Sequence, residues 1–484
     1  MRIPIDRESD TPIYVQLEQY LRQSIESGLL APDTRLPAAR QFAQDLGISR
    51  VTVENAYAML EADGLVLRRT GSGTFVAAPA TQFAQPGAVG QNGWPLWQLE
   101  FASEQSQPQA PAQEPLNVHP NPISFTGFGD PRHFPANEFQ RAIREVIRRD
   151  GTAAFSFGDP QGYEPLRATI AHVLASQGLR TSADTVLITT GSQQALALIA
   201  QVLLRPGDAV LVEQPTYDVA LELFRSLNVK VIGCPTDAWG MQVEQLEPLL
   251  QQQHPRLIYT IPNFQNPSGV CMSTARRHQL IALADRYNIP ILEDDFVGDL
   301  RYDGRVQPAL KALDPGGRVI YVGTFSKVLM PGLRIGYLVA EGPIFERLVH
   351  LKRVYDLATS TLTQRALEVY MTVGRYQAHI VRSSQIYRKR RDAMLQAIER
   401  WLPPGTQVLT PQGGLFMWVR LPEPLSAVAL QPLALESGVR YAVGSRFFPR
   451  PSEGERFLRL NFATQAQPEI EEGIRRLAAA ARRL

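Results

Sequence analysis

The run RVIYVGTFSKVLMPGLRIGYLVA, residues 318–340, decides the reading of most of this chain. Two apolar, strand-like stretches flank Lys327, which is hemmed by Ser326 and Val328 and followed seven residues later by Arg334. Lysines are rarely placed in so apolar a setting. Desolvation there lowers the pKa and favours the neutral, nucleophilic amine. Amine chemistry has few other candidates, because lysine occurs only at 230, 311, 327, 352 and 389, and arginine supplies 44 of the 49 basic residues.

Four further stretches carry chemistry. In DTVLITTGSQQALALIAQVLL a strand is followed by a Gly191-Ser192-Gln193 turn and a helix, and a helix that opens on small residues offers free N–H groups to a phosphate. VLVEQPTYDVALELF sets Tyr217 just after a strand, where its ring could stack on a planar ligand. RLIYTIPNFQNPSG ends a strand with Asn263 and Asn266 among prolines, at the edge where open α/β sheets bind ligands. IPILEDDF closes an apolar strand with Glu293, Asp294 and Asp295, and carboxylates so placed need partners. Each stretch alone has an ordinary structural explanation. Together, a phosphate cradle, a stacking ring, an asparagine, a strand-end carboxylate and a nucleophilic lysine match the needs of pyridoxal 5′-phosphate.

Around this core, 484 residues allow two to four domains. Hydrophobic residues make up 44% and charged residues 20%, which excludes wholesale disorder. No stretch approaches the roughly 18 apolar residues of a membrane span. The opening MRIPIDRESD is acidic where a secretory leader would be basic and apolar, so a cytoplasmic location is expected. Two cysteines, Cys234 and Cys271, and seven scattered histidines predict neither a disulfide framework nor a metal site. The net charge of +2 does not by itself announce nucleic acid.

Three segments differ in character. Residues 123–484 alternate strand-like and helical patterns, the signature of an α/β domain. Residues 78–122, rich in Pro, Gln and Ala, read as a linker, with Trp94, Leu96, Trp97 and Phe101 as possible docking points. Residues 1–77 carry Ile13, Leu17, Leu21 and Ile25 on one helical face, and then a short helix from Pro37 to Gly47. A third helix follows, with Ser49 as its N-cap and Val53, Ala56, Tyr57 and Leu60 facing a core. LVLRRTGSGTFVA then forms two strands around a glycine-rich tip. Two helices joined by a short glycine-containing turn form a helix-turn-helix. Arg50, Thr52 and Asn55 sit at the start of its second helix, while Arg35, Arg40, Arg68 and Arg69 could reach phosphates. Eight arginines against ten acids leave this segment at −2, a balance that a protein-binding module would share.

The run from Pro12 to Val76, with SGLLAPDTRLPAARQFAQDLGISRVTVENAYAMLEADGLV and RRTGSGTFV, resembles the winged helix-turn-helix of GntR-type bacterial regulators. The resemblance implies DNA contacts from Arg35, Arg40, Ser49, Arg50 and Thr52, with the Gly71–Gly73 wing tip in a minor groove. Relatives usually carry serines where Ala38 and Ala39 stand and a glycine where Asp33 stands. Residues from about 123 onward resemble fold-type I aminotransferases, an α/β fold with large and small subdomains. That implies an imine between Lys327 and pyridoxal 5′-phosphate, Asp294 on the pyridine nitrogen, Asn266 on the ring hydroxyl and Tyr217 stacked on the ring. It also implies Ser192, Gln193, Thr324, Ser326 and Arg334 around the phosphate, and Arg459 on a ligand carboxylate. Phe296 and Phe157 stand where relatives often have tyrosines, so two hydroxyls are missing.

The two halves in this order resemble the MocR family of regulators. That resemblance implies a homodimer, head to tail, that binds promoter DNA and responds to a small amino compound or to the cofactor itself. Two competing readings remain: an active aminotransferase that carries a winged helix, and a DNA-binding scaffold with a dead pocket.

Overall fold

The computed structural model describes residues 3–9, 11–69, 71–77 and 120–484, so the expected linker falls outside the described residues except for 120–122. The chain divides into two compact units, 1–114 and 115–484.

In the first unit, helix α1 (Ile13–Glu26) packs on α3 (Arg50–Ala62), and α2 (Ala39–Leu46) packs beside it. The apolar stripes meet in one small core of Leu17, Leu21, Phe42, Val53, Tyr57, Leu60 and neighbouring residues. The turn between α2 and α3 follows from two residues. Gly47 ends α2 in the left-handed region at φ 65°, a conformation that carries little cost without a Cβ. Ser49 caps α3, its hydroxyl accepting from Thr52 N at 3.1 Å. Helix α2 has no such cap, because Ala38 stands at its start. Strands β1 (Val66–Arg69) and β2 (Gly73–Val76) form the antiparallel wing. Asp33, at the usual glycine position, takes φ 60° and ties its carboxylate to Arg69 at 2.7 Å.

The second unit is built on a sheet of eight strands in the order β4-β11-β10-β9-β8-β5-β6-β7. A short β3 (Ile123–Ser124) precedes it and pairs with a strand near the C-terminus. The members are β4 (Val186–Thr189), β5 (Ala209–Gln214), β6 (Lys230–Asp237), β7 (Gly240–Met241), β8 (Leu257–Thr260), β9 (Ile291–Asp295), β10 (Val319–Thr324) and β11 (Gly336–Val339). β10, β9, β8, β5 and β6 run parallel, while β11 runs antiparallel to both β10 and β4. The carboxyl ends of β4, β10, β9, β8 and β5 therefore share one edge. Strands β4, β8 and β10 are buried along their lengths, as expected of a sheet covered by helices on both faces.

A smaller antiparallel sheet follows in the order β12-β13-β16-β15, from β12 (Gln407–Val408), β13 (Phe416–Arg420), β15 (Ala442–Val443) and β16 (Phe457–Asn461). β14 (Val439–Arg440) is the partner of β3. The sheet's apolar side joins the same core as the large sheet, through Leu415, Phe416, Leu458 and Leu460. This fixes β16, and Arg459 on it, against the carboxyl-end edge of the large sheet, where Arg459 bonds Asn266.

Candidate functional site

The sequence-predicted residues of the second unit converge on that edge. The turn after β4 begins a helix, Ser192–Leu203, whose N-cap is Gly191 with no side-chain cap, so first-turn N–H groups face outward. Gly191 has φ 79°, and a Cβ there would come within 2.6 Å of the Arg334 guanidinium. Arg334 donates to Thr190 O at 3.3 Å and so sits over the same turn. At Gly336 a Cβ would meet the Gly191–Ser192 backbone at 2.5 Å, which is why β11 must begin on glycine. Arg334 and the Ser192 helix start thus come together at one turn, with Gln193 next along the helix. The turn is braced by residues the sequence did not single out: Thr190 N donates to Gln194 Oε1, and Gln194 and the buried Lys352 both bond Asp356.

Asp294 is buried near the end of β9, and its Oδ2 accepts from Tyr259 Oη at 2.8 Å. Its other oxygen, Oδ1, is buried without a partner among the described residues. Burial raises the Asp294 pKa to about 7. Tyr259 was not foreseen; its place in a wholly apolar-looking strand, LIYT, hid its hydroxyl's role.

Lys327 is partly buried beyond β10, with Nζ 2.9 Å from the centroid of the Phe128 ring. Burial, reinforced by Arg334 and Arg459, lowers its pKa to about 7. An amine in that range is substantially unprotonated near neutrality, as a nucleophile requires. Ser326 Oγ beside it is buried without a partner among the described residues. Thr324 is placed differently from a free phosphate donor: its Oγ1 bonds Ile335 O at 3.3 Å and accepts from Ser326 N at 3.1 Å.

The loop after β8 separates the two asparagines. Asn263 accepts from the buried Arg277 at 2.8 Å, whereas Asn266 accepts from Arg459 Nη1 at 2.8 Å. The loop is held from beneath by Glu213, whose carboxylate accepts from Thr260 Oγ1, Ile261 N and Gln265 Nε2. Burial raises the Glu213 pKa to about 7. Arg459 is buried with its guanidinium 4.1 Å from the Phe416 ring and 4.8 Å from that of Phe447. Its Nε is buried without a partner among the described residues, and burial lowers its pKa to about 10. Tyr217 precedes the helix Asp218–Ser226, and burial raises its pKa, with Asp218 and Asp294 among the charges acting on it. Phe296 stacks on Phe416 at 6.1 Å and is part of the core, while Phe157 is 87% exposed.

The site therefore offers a reactive amine, an unpaired buried carboxylate oxygen, an unpaired hydroxyl, an unpaired guanidinium N–H and an uncapped helix start. Such a set fits an aldehyde-bearing, phosphorylated pyridine with an amino-acid ligand beside it.

In the first unit the expected DNA-contact residues lie on α2, the turn into α3, α3 itself and the wing. Arg35, Arg40, Ser49, Arg50, Gly71 and Gly73 are exposed and Thr52 is half-buried. Arg35 forms a single antiparallel bridge to Phe75 of the wing, and a Cβ on Gly73 would come within 3.0 Å of its guanidinium. Arg50 bonds Glu54 at 2.8 Å, and the Ser49 hydroxyl is engaged in the cap.

Residues 127–477 match the aminotransferase class I and II family, and residues 13–76 match the bacterial regulatory proteins of the gntR family. The fold and site thus define a fold-type I aminotransferase domain joined to a GntR helix-turn-helix, and pyridoxal phosphate is the cofactor this domain implies. The chain is 33% identical to the uncharacterized HTH-type transcriptional regulator YdcR of Escherichia coli, over 96% of this chain and 98% of that protein. It is 32% identical to the probable rhizopine catabolism regulatory protein MocR of Rhizobium meliloti, over 98% and 95% respectively. The solved LysN, an alpha-aminoadipate aminotransferase from Thermus thermophilus, superposes with a TM-score of 0.73 at 35% identity, covering 80% of this chain and 98% of that one. The chain belongs to the MocR-type family of transcription regulators. No helix among the described residues is long and apolar enough to cross a membrane.

Proposed function

We propose that this regulator senses a small amino compound, or pyridoxal phosphate itself, at the Lys327 site and changes its affinity for promoter DNA in response. The observation that carries the reading is the coincidence, at one sheet edge, of the Lys327 amine with its pKa lowered to about 7 and the unpartnered Oδ1 of buried Asp294. When bound, pyridoxal phosphate supplies an aldehyde that condenses with amines and a ring that attracts electrons.

Each side chain has a place around it. Lys327 holds the cofactor through its amine. Asp294 Oδ1 holds a proton on the ring nitrogen, and Tyr259 fixes that carboxylate's orientation through Oδ2. Asn266 would hold the ring through its hydroxyl, and Tyr217 would hold it by stacking. Ser192 and Gln193, at the helix start, with Ser326 and Arg334, take the phosphate. Thr324 supports this shell through the backbone. Arg459, planar and pre-oriented between two phenyl rings, takes a carboxylate of the effector. The protein acts as a homodimer, a reading supported by Phe155 and Phe157, which are 64% and 87% exposed. Coupling is reciprocal: whatever the effector adds to DNA affinity, DNA adds to effector affinity. A second reading, an active aminotransferase, is favoured by the presence of Lys327, Asp294 and Arg459 together in the site, although Phe296 lacks the hydroxyl that relatives often place near the ring.

The test uses Lys327→Ala in the full chain. The wild type is expected to show a visible absorption band with pyridoxal phosphate and a shift in DNA affinity on adding an amine. The variant is expected to lose both. A variant that still responds in DNA-shift assays would overturn the reading, and sustained keto-acid formation by the wild type would favour the second.

A further inference from the structure

The Lys327 amine rests on an aromatic face and not on a hydrogen-bond acceptor. Its Nζ lies 2.9 Å from the centroid of the Phe128 ring, and no hydrogen bond or ion pair to it occurs among the described residues. A ring face attracts an ammonium, most strongly where water is excluded. A contact this close leaves no room for another atom between nitrogen and ring. The ring is set there by its backbone. Phe128 stands between Gly127 and Gly129, whose φ values of 89° and 72° side-chain-bearing residues rarely adopt. Both flanks of this tip are pinned: Gly127 O accepts from Asn461 Nδ2 at 2.6 Å, and the buried Asp130 accepts from Arg390 Nη2 at 2.7 Å. Asn461 ends β16, two residues beyond Arg459 and on the same side of the strand. One strand therefore seats the ring and carries the arginine assigned to the effector's carboxylate. A side chain that only filled space against Phe416 could as well be leucine, which has no face to offer a cation.

Resting on the reading that Lys327 carries the cofactor and yields it to an amino compound, we propose that the Phe128 face is the berth of the Lys327 amine whenever that amine is free, and so sets how readily an effector displaces it. In the exchange the effector's nitrogen forms a C=N bond to the aldehyde carbon, and the bond from that carbon to Lys327 breaks. With the C=N nitrogen protonated before and after, the effector's ammonium keeps one proton and passes two to Lys327, which leaves as –NH3+. That cation moves onto the Phe128 ring. Loading of the cofactor runs against the same contact: the Lys327 ammonium leaves the ring to condense with the aldehyde, and water departs. The ring therefore favours capture of the effector and opposes loading of the cofactor by the same factor.

The test compares Phe128→Leu, which keeps an apolar side chain but has no ring, with Phe128→Tyr, which keeps the face. Full-length protein is titrated with pyridoxal phosphate. The loaded protein is then titrated with glycine, L-alanine, L-glutamate, β-alanine and ethanolamine, and the cofactor's absorption is followed throughout. Phe128→Leu is expected to bind pyridoxal phosphate about 3- to 10-fold more tightly, and to respond to whichever amine acts on the wild type about 3- to 10-fold more weakly. Phe128→Tyr is expected to match the wild type in both. Phe128 is half-buried, and circular dichroism checks that both variants fold. Opposite shifts are the signature, because removing a ring that served only as a packed wall loosens both ligands. A loss in both affinities, no change in either, or a Phe128→Tyr protein that behaves as Phe128→Leu would overturn the inference and leave the sensor reading intact. A wild type that gains no absorption band with pyridoxal phosphate, or whose band none of these amines alters, would overturn the amino-compound reading and the inference with it.

Discussion

The two ends of this chain handle charge in opposite ways. In the first unit the ion pairs of the wing and of the outer side of α3 are exposed. Arg50–Glu54, Arg68–Glu61 and Arg69–Asp33 all sit in solvent, where each is worth well under ~1 kcal/mol. At the sheet edge of the second unit, Asp294, Glu213 and Arg459 are buried, and their pKa values move toward the neutral form. Groups that are buried and only half-satisfied store free energy that a matching ligand releases; groups in water do not. The buried groups of the second unit suit the pyridoxal phosphate that its family implies, and the exposed ones of the first suit the DNA binding that a GntR helix-turn-helix implies.

That contrast is tested most severely at Asp294. Removing one partner of a buried charged arrangement costs several kcal/mol, so Asp294→Ala is expected to lower affinity for pyridoxal phosphate by roughly two to three orders of magnitude. Spectroscopic titration measures this, with thermal melting to confirm that the variant is folded. A loss below about fivefold, typical of a surface pair, would erase the distinction between the two regions.

Arg459 sharpens the same comparison at the ligand rather than the cofactor. Its loss removes charge-assisted hydrogen bonds of about 1.5–3 kcal/mol each, so Arg459→Ala is expected to weaken α-amino acid effectors about 10- to 100-fold. The cofactor should stay attached, because Lys327, and not Arg459, holds it. The readout is the cofactor's absorption during titration with a panel of amino acids and amines. Unchanged affinities would mean that the effector carries no carboxylate.

How much of this was legible in the sequence depended on the kind of signal. The order of strands and helices and the convergence of Lys327, Asp294, Asn266 and Tyr217 could be read because each stands at a strand end bounded by Gly, Pro or Asn. The three helices and wing of the first unit could be read from apolar spacing and from Ser49 and Gly47. Partners that meet only through the tertiary fold could not. Tyr259 looks like one more apolar strand residue until β8 and β9 pair and set its hydroxyl against Asp294. Phe128 gives no sign that its ring will lie against Lys327, about two hundred residues away. Residue spacing alone left Asn263 and Asn266 equal, and the resemblance chose Asn266; the partners that set them apart, Arg277 and Arg459, come from distant segments. Thr324 illustrates the limit of carrying over a motif: its place is as expected, but its hydroxyl is spent on the backbone.

The smallest effect falls in the exposed unit and tests whether its order is local. Helix α3 begins on a side-chain cap and α2 does not, a difference visible in Ser49 and Ala38. Replacing a capping serine by alanine costs about 1 kcal/mol, because one first-turn N–H loses its partner. Ser49→Ala should therefore raise the hydrogen-exchange rate of first-turn α3 amides about fivefold in the full chain. Ala38 has the extended backbone a cap needs, φ −59° and ψ 135°, so Ala38→Ser should slow exchange at the start of α2 by a similar factor. Neither change should alter the absorption of cofactor bound in the other unit, because both act on a helix end whose partners are within the helix. Were Ser49→Ala to perturb that spectrum with no effector present, the cap would be part of the coupling between DNA and ligand, and the division of labour drawn here would have to give way to a single linked machine.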